Sequence, residues 1–117
     1  MEKAKNDLKH AKSSIVNKDF DWSQLASQQS AEKALKAVCM HKNIGLIKVH
    51  DLTILARKVN APSRIIEECG LLNPFYTASR YPDAEEETDE KSEVTAAKDA
   101  IKAAKKVVKW CKKEIKI

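Results

Sequence analysis

The amino-acid sequence predicts an all-α fold, an up-and-down bundle of four to five helices with a long loop before the C-terminal helix. Only two glycines and three prolines interrupt the 117 residues, and these are the residue types that most disfavour a helix. The last segment, about residues 91–116, repeats apolar residues at spacings of three and four over more than three turns, which is typical of one helix face. A chain of this length is expected to form one domain, residues 1–117.

Two further long helices are predicted in the first part of the chain. The first covers about residues 2–17, with apolar residues at helical spacing. The second covers about residues 22–42 and can be capped by Asp21 or Ser23. Few charges occur through the middle of the second helix, so it is expected to lie at the centre of the bundle, where its alanines permit close approach of its neighbours.

Two short helices and the loop are predicted between these long helices and the last one. Asp51 is suited to cap the third helix, and Pro62 is suited to the first turn of the fourth. The fourth helix is expected to stop at Asn73 and Pro74, because proline lacks the amide hydrogen that a helix interior needs. Residues 73–91 are therefore predicted to form the long loop.

The charges are unevenly distributed along the chain. Residues 83–90 contain six acidic groups and no base, whereas residues 98–117 contain eight lysines against Asp99 and Glu114. A basic surface of this kind can attract RNA, nucleotide phosphates or an acidic partner. The alternative is a lysine face that is simply solvated, so charge alone does not identify a ligand.

The composition excludes several other classes of protein. Cys39, Cys69 and Cys111 are widely spaced and form no CxxC pair, so they are expected to be reduced core residues rather than disulfides or metal ligands. No residue set indicates a cofactor or a metal site. The chain opens with charges and has no apolar run long enough to cross a bilayer, which predicts a soluble, cytoplasmic protein without membrane association.

Three short motifs follow one another along the chain: residues 28–37 (QQSAEKALKA), residues 49–52 (VHDL) and residues 76–83 (YTASRYPD). Together they resemble the HEPN family, and the resemblance extends over about residues 4–108. It implies a helical bundle that commonly forms a homodimer. It also implies one of two roles: a partner of a minimal nucleotidyltransferase, or an RNA-cutting toxin of a toxin–antitoxin pair.

The catalytic motif of the nuclease branch of this family cannot occur in this chain. That motif is an arginine followed four to six residues later by a histidine. Here every histidine precedes every arginine, since the histidines are His10, His41 and His50 and the arginines are Arg57, Arg64 and Arg80. No catalytic residue is therefore assigned, and a ribonuclease toxin would need an atypical site built from His50, Arg80 and the tyrosines.

The third motif contains the first group of candidate ligand-binding residues. Arg80 offers a planar fork of hydrogen-bond donors, which suits a phosphate, while Tyr76 and Tyr81 offer ring faces and hydroxyls. The alternative is structural: Arg80 can instead tie the loop to the bundle by bonding backbone carbonyls or Glu32, with both tyrosines packed beneath it.

The second group of candidates lies on the second helix and just before the third. By their spacing of three and four, residues 29, 32, 33 and 36 are predicted to share one side of the helix. Gln29 and Lys33 are candidates to contact a ligand, and Gln28 belongs to the same set. Buried glutamines need hydrogen-bond partners, which can be loop carbonyls or the polar edge of a ligand. His50 is a further candidate, either as a ligand contact or as a local hydrogen-bonding residue.

The leading functional hypothesis is a non-catalytic protein of the HEPN type that binds a nucleotide or another phosphorylated small molecule and partners a separate minimal nucleotidyltransferase. The ribonuclease toxin is the alternative, with RNA as the less favoured partner. A third hypothesis is an interaction module that uses the apolar stripe of the C-terminal helix to bind another helical protein.

Overall fold

The computed structural model describes residues 1–45, 47–78 and 90–116, with the backbone alone at residues 75–78. The predicted all-α bundle is confirmed. The described residues form five helices in chain order: α1 (Glu2–Val16), α2 (Phe20–His41), α3 (Leu52–Lys58), α4 (Ser63–Ala78) and α5 (Glu90–Ile115).

Helix α2 lies at the centre of the bundle, as its low charge predicts. It contacts each of the other four helices, and 11 of its 22 residues are buried. Leu35 and Val38 are completely buried in the main core, together with side chains of α3, α4 and α5. A helix surrounded in this way derives its stability from packing rather than from intrinsic propensity.

Two serines of α2 determine how closely α1 approaches it. The Ser23 hydroxyl donates to the Ala11 carbonyl, and the Ser30 hydroxyl donates to the Ala4 carbonyl, each at 2.7 Å. The two serines lie seven residues apart on α2, and their partners lie seven residues apart on α1 in the opposite order, so the helices run antiparallel. Small side chains on both helices allow this close approach. The hydrogen bonds give partners to hydroxyls that would otherwise be buried without one.

The apolar stripe of α5 is buried within the subunit. Ala97, Ile101, Ala104 and Val108 all belong to the buried residues of the core. The stripe is therefore already covered by the chain's own helices, and it is not available to another helical protein as the third functional hypothesis requires.

The three cysteines are free and buried, as expected for reduced core residues. Cys69 and Cys111 are completely buried, and this burial raises the pKa of each thiol to about 12. Since the thiolate is the reactive form, these side chains act as small apolar core residues.

The predicted cap of α2 is wrong by a few residues. Asp19, rather than Asp21 or Ser23, is the N-cap, and its carboxylate accepts a hydrogen bond from the Trp22 amide at 3.3 Å. Ser23 is unavailable as a cap because its hydroxyl is buried against α1.

The predicted end of α4 at Asn73 and Pro74 is also wrong. The helix continues through Pro74 to Ala78, so residues 73–78 are helical rather than loop. Proline at 74 costs the helix the hydrogen bond to the Gly70 carbonyl. Packing of α4 against three other helices offsets this loss. Residues 79–89 of the predicted loop lie outside the described residues.

A hydrogen-bonded corner joins the start of α3 to α4. Asp51 caps α3, as predicted, by accepting from the Thr53 amide at 3.0 Å and the Thr53 hydroxyl at 2.6 Å. The Asn73 amide group donates to the same Asp51 oxygen at 2.8 Å, and its oxygen accepts from the Leu52 amide at 2.8 Å. The α3–α4 corner, formed by Asp51, Leu52, Thr53 and Asn73, therefore fixes α4 beside the segment that carries His50.

Replacing Ser30 by leucine is expected to lower the free energy of unfolding by about 1–3 kcal/mol, because the larger side chain overfills the interface between α1 and α2. The measurement is urea denaturation of the purified variant. Ser13→Leu is the matched control, since Ser13 is exposed on α1 and its substitution should change the free energy by less than about 0.5 kcal/mol. Equal effects of the two substitutions would contradict the proposed role of the serine contact.

The α3–α4 corner also predicts a dependence of stability on pH. The hydrogen bonds from Thr53, and then from Asn73, hold the pKa of Asp51 below its ordinary value. Its contribution to stability is therefore complete above the unfolded pKa of about 3.9 and is lost as the pH falls through the lower folded value. In urea denaturation from about pH 6 to about pH 3, Asp51→Asn should lose less stability than the wild type. Asp21→Asn changes an exposed carboxylate outside the corner, so this variant should lose as much free energy of unfolding as the wild type over the same pH range.

Candidate functional site

A partly buried carboxylate on α2 holds the imidazole of His50. Glu32 Oε1 lies 2.9 Å from His50 Nδ1, and Glu32 Oε2 lies 3.3 Å from Lys36 Nζ. The Glu32 side chain is 13% exposed, whereas the His50 side chain is 53% exposed. Because an ionised carboxylate only accepts hydrogen bonds, His50 Nδ1 carries the hydrogen in this pair, which fixes the orientation of the ring.

Gln28, one turn before Glu32, is the most unusual polar residue of α2. It is completely buried, and its Nε2 donates only a long hydrogen bond, 3.5 Å, to the His50 carbonyl. Its Oε1 is buried without a hydrogen-bond partner among the described residues. Buried acceptors without a partner are rare in proteins, and leaving one unsatisfied costs about 1–3 kcal/mol. The four residues Gln28, Glu32, Lys36 and His50 are called the His50 cluster below.

The second helix does not present all of its predicted candidates to one site. Lys33 turns toward α1, where its ammonium pairs with the Asp7 carboxylate at 2.5 Å. Gln29 is half-buried. The i,i+4 pair of Glu32 and Lys36 forms as expected, but it lies with His50 rather than with Lys33. The structure thus brings His50 and Glu32 together and directs Lys33 elsewhere.

The third motif begins close to the His50 cluster along the chain. Tyr76 lies in α4, three residues after Asn73, which corresponds to about 4.5 Å along the helix axis. Since Asn73 is bonded to Asp51, directly after His50, the backbone of this part of α4 lies near the cluster. Arg80 and Tyr81 lie outside the described residues.

Sequence reasoning treated Asn73 only as a helix stop, although its side chain positions α4 beside the cluster. Gln28 did carry a signal, because a glutamine buried on a mostly apolar helix needs hydrogen-bond partners. Its contact with the His50 carbonyl joins residues 22 positions apart, so spacing along the helix could not predict it.

Two general features of the described part of the chain bear on its chemistry. No group of three or more histidine, cysteine, aspartate or glutamate side chains there could hold a metal ion. None of the helices found there is both long enough and apolar enough to span a membrane.

Comparison with known proteins gives consistent results. The chain matches the model of the HEPN domain over residues 1–115. None of the curated proteins compared with the chain matches it. Among solved structures, TT1696 from Thermus thermophilus is similar with a TM-score of 0.84 and 27% identity, covering 97% of this chain and 93% of that one.

Two further crystal structures resemble the fold. ST0689, described as an archaeal HEPN homologue, has a TM-score of 0.81 and 29% identity, with 98% of this chain and 93% of that chain covered. The HEPN domain protein TM0613 from Thermotoga maritima has a TM-score of 0.78 and 23% identity, with 94% and 91% covered, and this likeness concerns the fold alone. With its five-helix bundle and a family match over nearly its whole length, the chain belongs to the HEPN domain family.

Proposed function

We propose that this HEPN protein is a non-catalytic binding subunit. It forms a homodimer, binds a nucleotide or another phosphorylated small molecule, and presents it to a separate minimal nucleotidyltransferase. The observation that carries the proposal is the His50 cluster, in which a partly buried carboxylate orients an exposed imidazole beside a buried amide oxygen without a partner. The catalytic carboxylates and the metal ion would belong to the partner enzyme.

The chemistry of the cluster supports binding of a polar ligand. A histidine held by Glu32 keeps one orientation, so less entropy is lost when a ligand binds to it. Lys36, 3.3 Å from the same carboxylate, adds positive charge. Because Gln28 is completely buried, its oxygen can be linked to a ligand by a hydrogen bond from a buried water molecule. Arg80, from the third motif, is proposed to supply the phosphate contact.

The order of histidines and arginines supports a non-catalytic role. All three histidines, at positions 10, 41 and 50, precede the arginines at positions 57, 64 and 80, so the arginine–histidine motif of the family's nucleases has no counterpart in this chain. The proposal therefore assigns binding and presentation to this protein, and the bond-making step to its partner.

One observation favours the alternative function of a ribonuclease toxin. A carboxylate-bound imidazole, as in Glu32 and His50, is an arrangement that general acid–base catalysis uses. The test is incubation of the purified protein with structured and unstructured RNA, with His50→Ala as the control. Cleavage by the wild type that disappears in the variant would establish the toxin. Intact RNA in every sample would remove it from consideration.

Nucleotide binding is expected to depend on Arg80 and His50. Isothermal calorimetry with ATP, GTP and their monophosphates, with and without magnesium, should detect binding to the wild type. A charge-assisted hydrogen bond contributes about 1.5–3 kcal/mol, so Arg80→Ala should weaken the affinity by at least about tenfold. His50→Ala should weaken it as well.

Matched controls separate these effects from general loss of charge. Arg57→Ala and His41→Ala alter exposed residues of the same types outside the His50 cluster, so both should retain wild-type affinity. Absence of heat with every nucleotide would refute the proposed ligand class. Unchanged affinity in Arg80→Ala would remove that residue from the site.

Gln28 is expected to show opposite effects on stability and on binding. Gln28→Met removes a buried oxygen that lacks a partner, so the free energy of unfolding should rise by about 1 kcal/mol, while nucleotide affinity should fall. Urea denaturation and calorimetry measure the two quantities. Gln24→Met, one turn earlier on α2, is the control and should change neither. A destabilised Gln28→Met variant would indicate that the amide serves the fold.

A further inference from the structure

A groove runs along the outer surface between α4 and α5. It consists of two adjoining depressions, of about 340 Å³ and about 420 Å³, and Glu68 and Lys106 line both of them. The side chains of these two residues are paired at 3.2 Å across the groove. The α4–α5 groove is separate from the His50 cluster, because neither depression contains a residue of that cluster.

One end of the α4–α5 groove is basic. Within the described residues, no ion pair neutralises three of the cations that line it: Arg64, Lys109 and Lys113. The one carboxylate at this end, Glu68, is already paired with Lys106. Half-buried Trp110 lies among these cations. The basic end therefore favours a partner that carries acidic groups.

The other end of the α4–α5 groove is mixed, with Leu71 and small α5 residues beside the charged residues Glu68, Asp99, Lys102 and Lys106. Leu71 is 64% exposed there, although leucine side chains gain free energy when they are removed from water. Beside it, α5 contributes small residues spaced four and three apart: Ala96 is half-buried, while Ala100 and Ala103 are only 2% and 3% exposed. Side chains of this size allow the backbone of another helix to approach closely, and the spacing follows one helix face.

We propose that the α4–α5 groove docks an amphipathic, acidic helix of another protein. Apolar side chains of that helix cover Leu71 and Ala96, and its aspartates or glutamates reach Arg64, Lys109 and Lys113. This is the helix-in-groove mode of recognition. A nucleic acid strand would satisfy the cations but would leave Leu71 in water, so a protein helix fits both ends better.

The dimensions of the groove suggest the length of the docked helix. From Arg64 to Leu71 the wall formed by α4 covers seven residues, about 10.5 Å along the helix axis. A partner helix of about two turns would span this distance. The inference goes beyond the proposed function, because it concerns a surface that contains no nucleotide-binding candidate.

The test is selection of helical peptides of about 15 residues, displayed as a random library, against the whole wild-type protein. Enriched peptides should combine leucine-type residues at helical spacing with a cluster of acidic residues. Fluorescence anisotropy should then show at least about tenfold weaker binding to Leu71→Ser, and also to the double variant Lys109→Glu with Lys113→Glu. Both variants should retain wild-type nucleotide affinity, which distinguishes this site from the His50 cluster.

Matched controls change similar residues outside the groove. Val16→Ser alters an 82% exposed apolar residue at the end of α1. Lys105→Glu with Lys112→Glu changes the charge of α5 equally, at exposed positions that do not line the groove. Both controls should bind the selected peptides as the wild type does.

Four results would overturn the inference. The first is that the selection enriches no peptide. The second is that the enriched peptides bind the groove variants as tightly as they bind the control variants. A third is binding of a 12-nucleotide oligouridine that is lost in the lysine variant but kept in Leu71→Ser, which would assign the groove to nucleic acid. The fourth is a change of oligomeric state in Leu71→Ser, measured by analytical ultracentrifugation, which would assign the groove to a second copy of this chain.

Discussion

The architecture depends on the burial of α2 by the four helices around it. Half of the residues of α2 are buried, and the polar side chains among the buried ones need partners within the protein. Ser23 and Ser30 meet this requirement by donating to carbonyls of α1. Glu32 meets it through His50 and Lys36. Gln28 meets it only in part, because its oxygen is buried without a partner. The least satisfied residue of the central helix thus lies next to the exposed histidine, and the site is a local exception to the rule that shapes the rest of the helix.

The same burial explains why the site lies where it does. Small residues of α2 allow α1 to approach closely, while the side chains of α3 and α4 complete the core on other sides. The segment before α3 must then pass over the polar part of α2, and this brings His50 within hydrogen-bonding distance of Glu32. Asn73 fixes α4 at the same place through two hydrogen bonds of 2.8 Å. Packing therefore assembles residues that are far apart in sequence.

The features that could be predicted from the sequence are those that depend on local periodicity. The stripe of α5 and the low charge of α2 led to the correct bundle, because the spacing of apolar residues reports directly on which face is buried. The end of α4 was missed because a tertiary framework tolerates Pro74 where an isolated helix would not. For the site, Gln29, Lys33 and His50 were selected by residue type, but spacing alone cannot tell that Lys33 pairs with Asp7. The contact between Glu32 and His50 joins residues 18 positions apart, so it depends on how the helices pack.

Helix α4 links the two surfaces for which binding is proposed. One of its residues, Asn73, is bonded beside the His50 cluster, while Glu68 and Leu71 line the α4–α5 groove. Coupling between two sites requires an element with two arrangements whose equilibrium both ligands bias. Movement of α4 relative to α3 would break both hydrogen bonds of Asn73, which are short and connect it to the cap and the first amide of α3. If α4 has a single arrangement, binding at one site does not change the affinity of the other site. The free energies of nucleotide binding and helix docking should therefore add, and each surface can be altered without loss of the other.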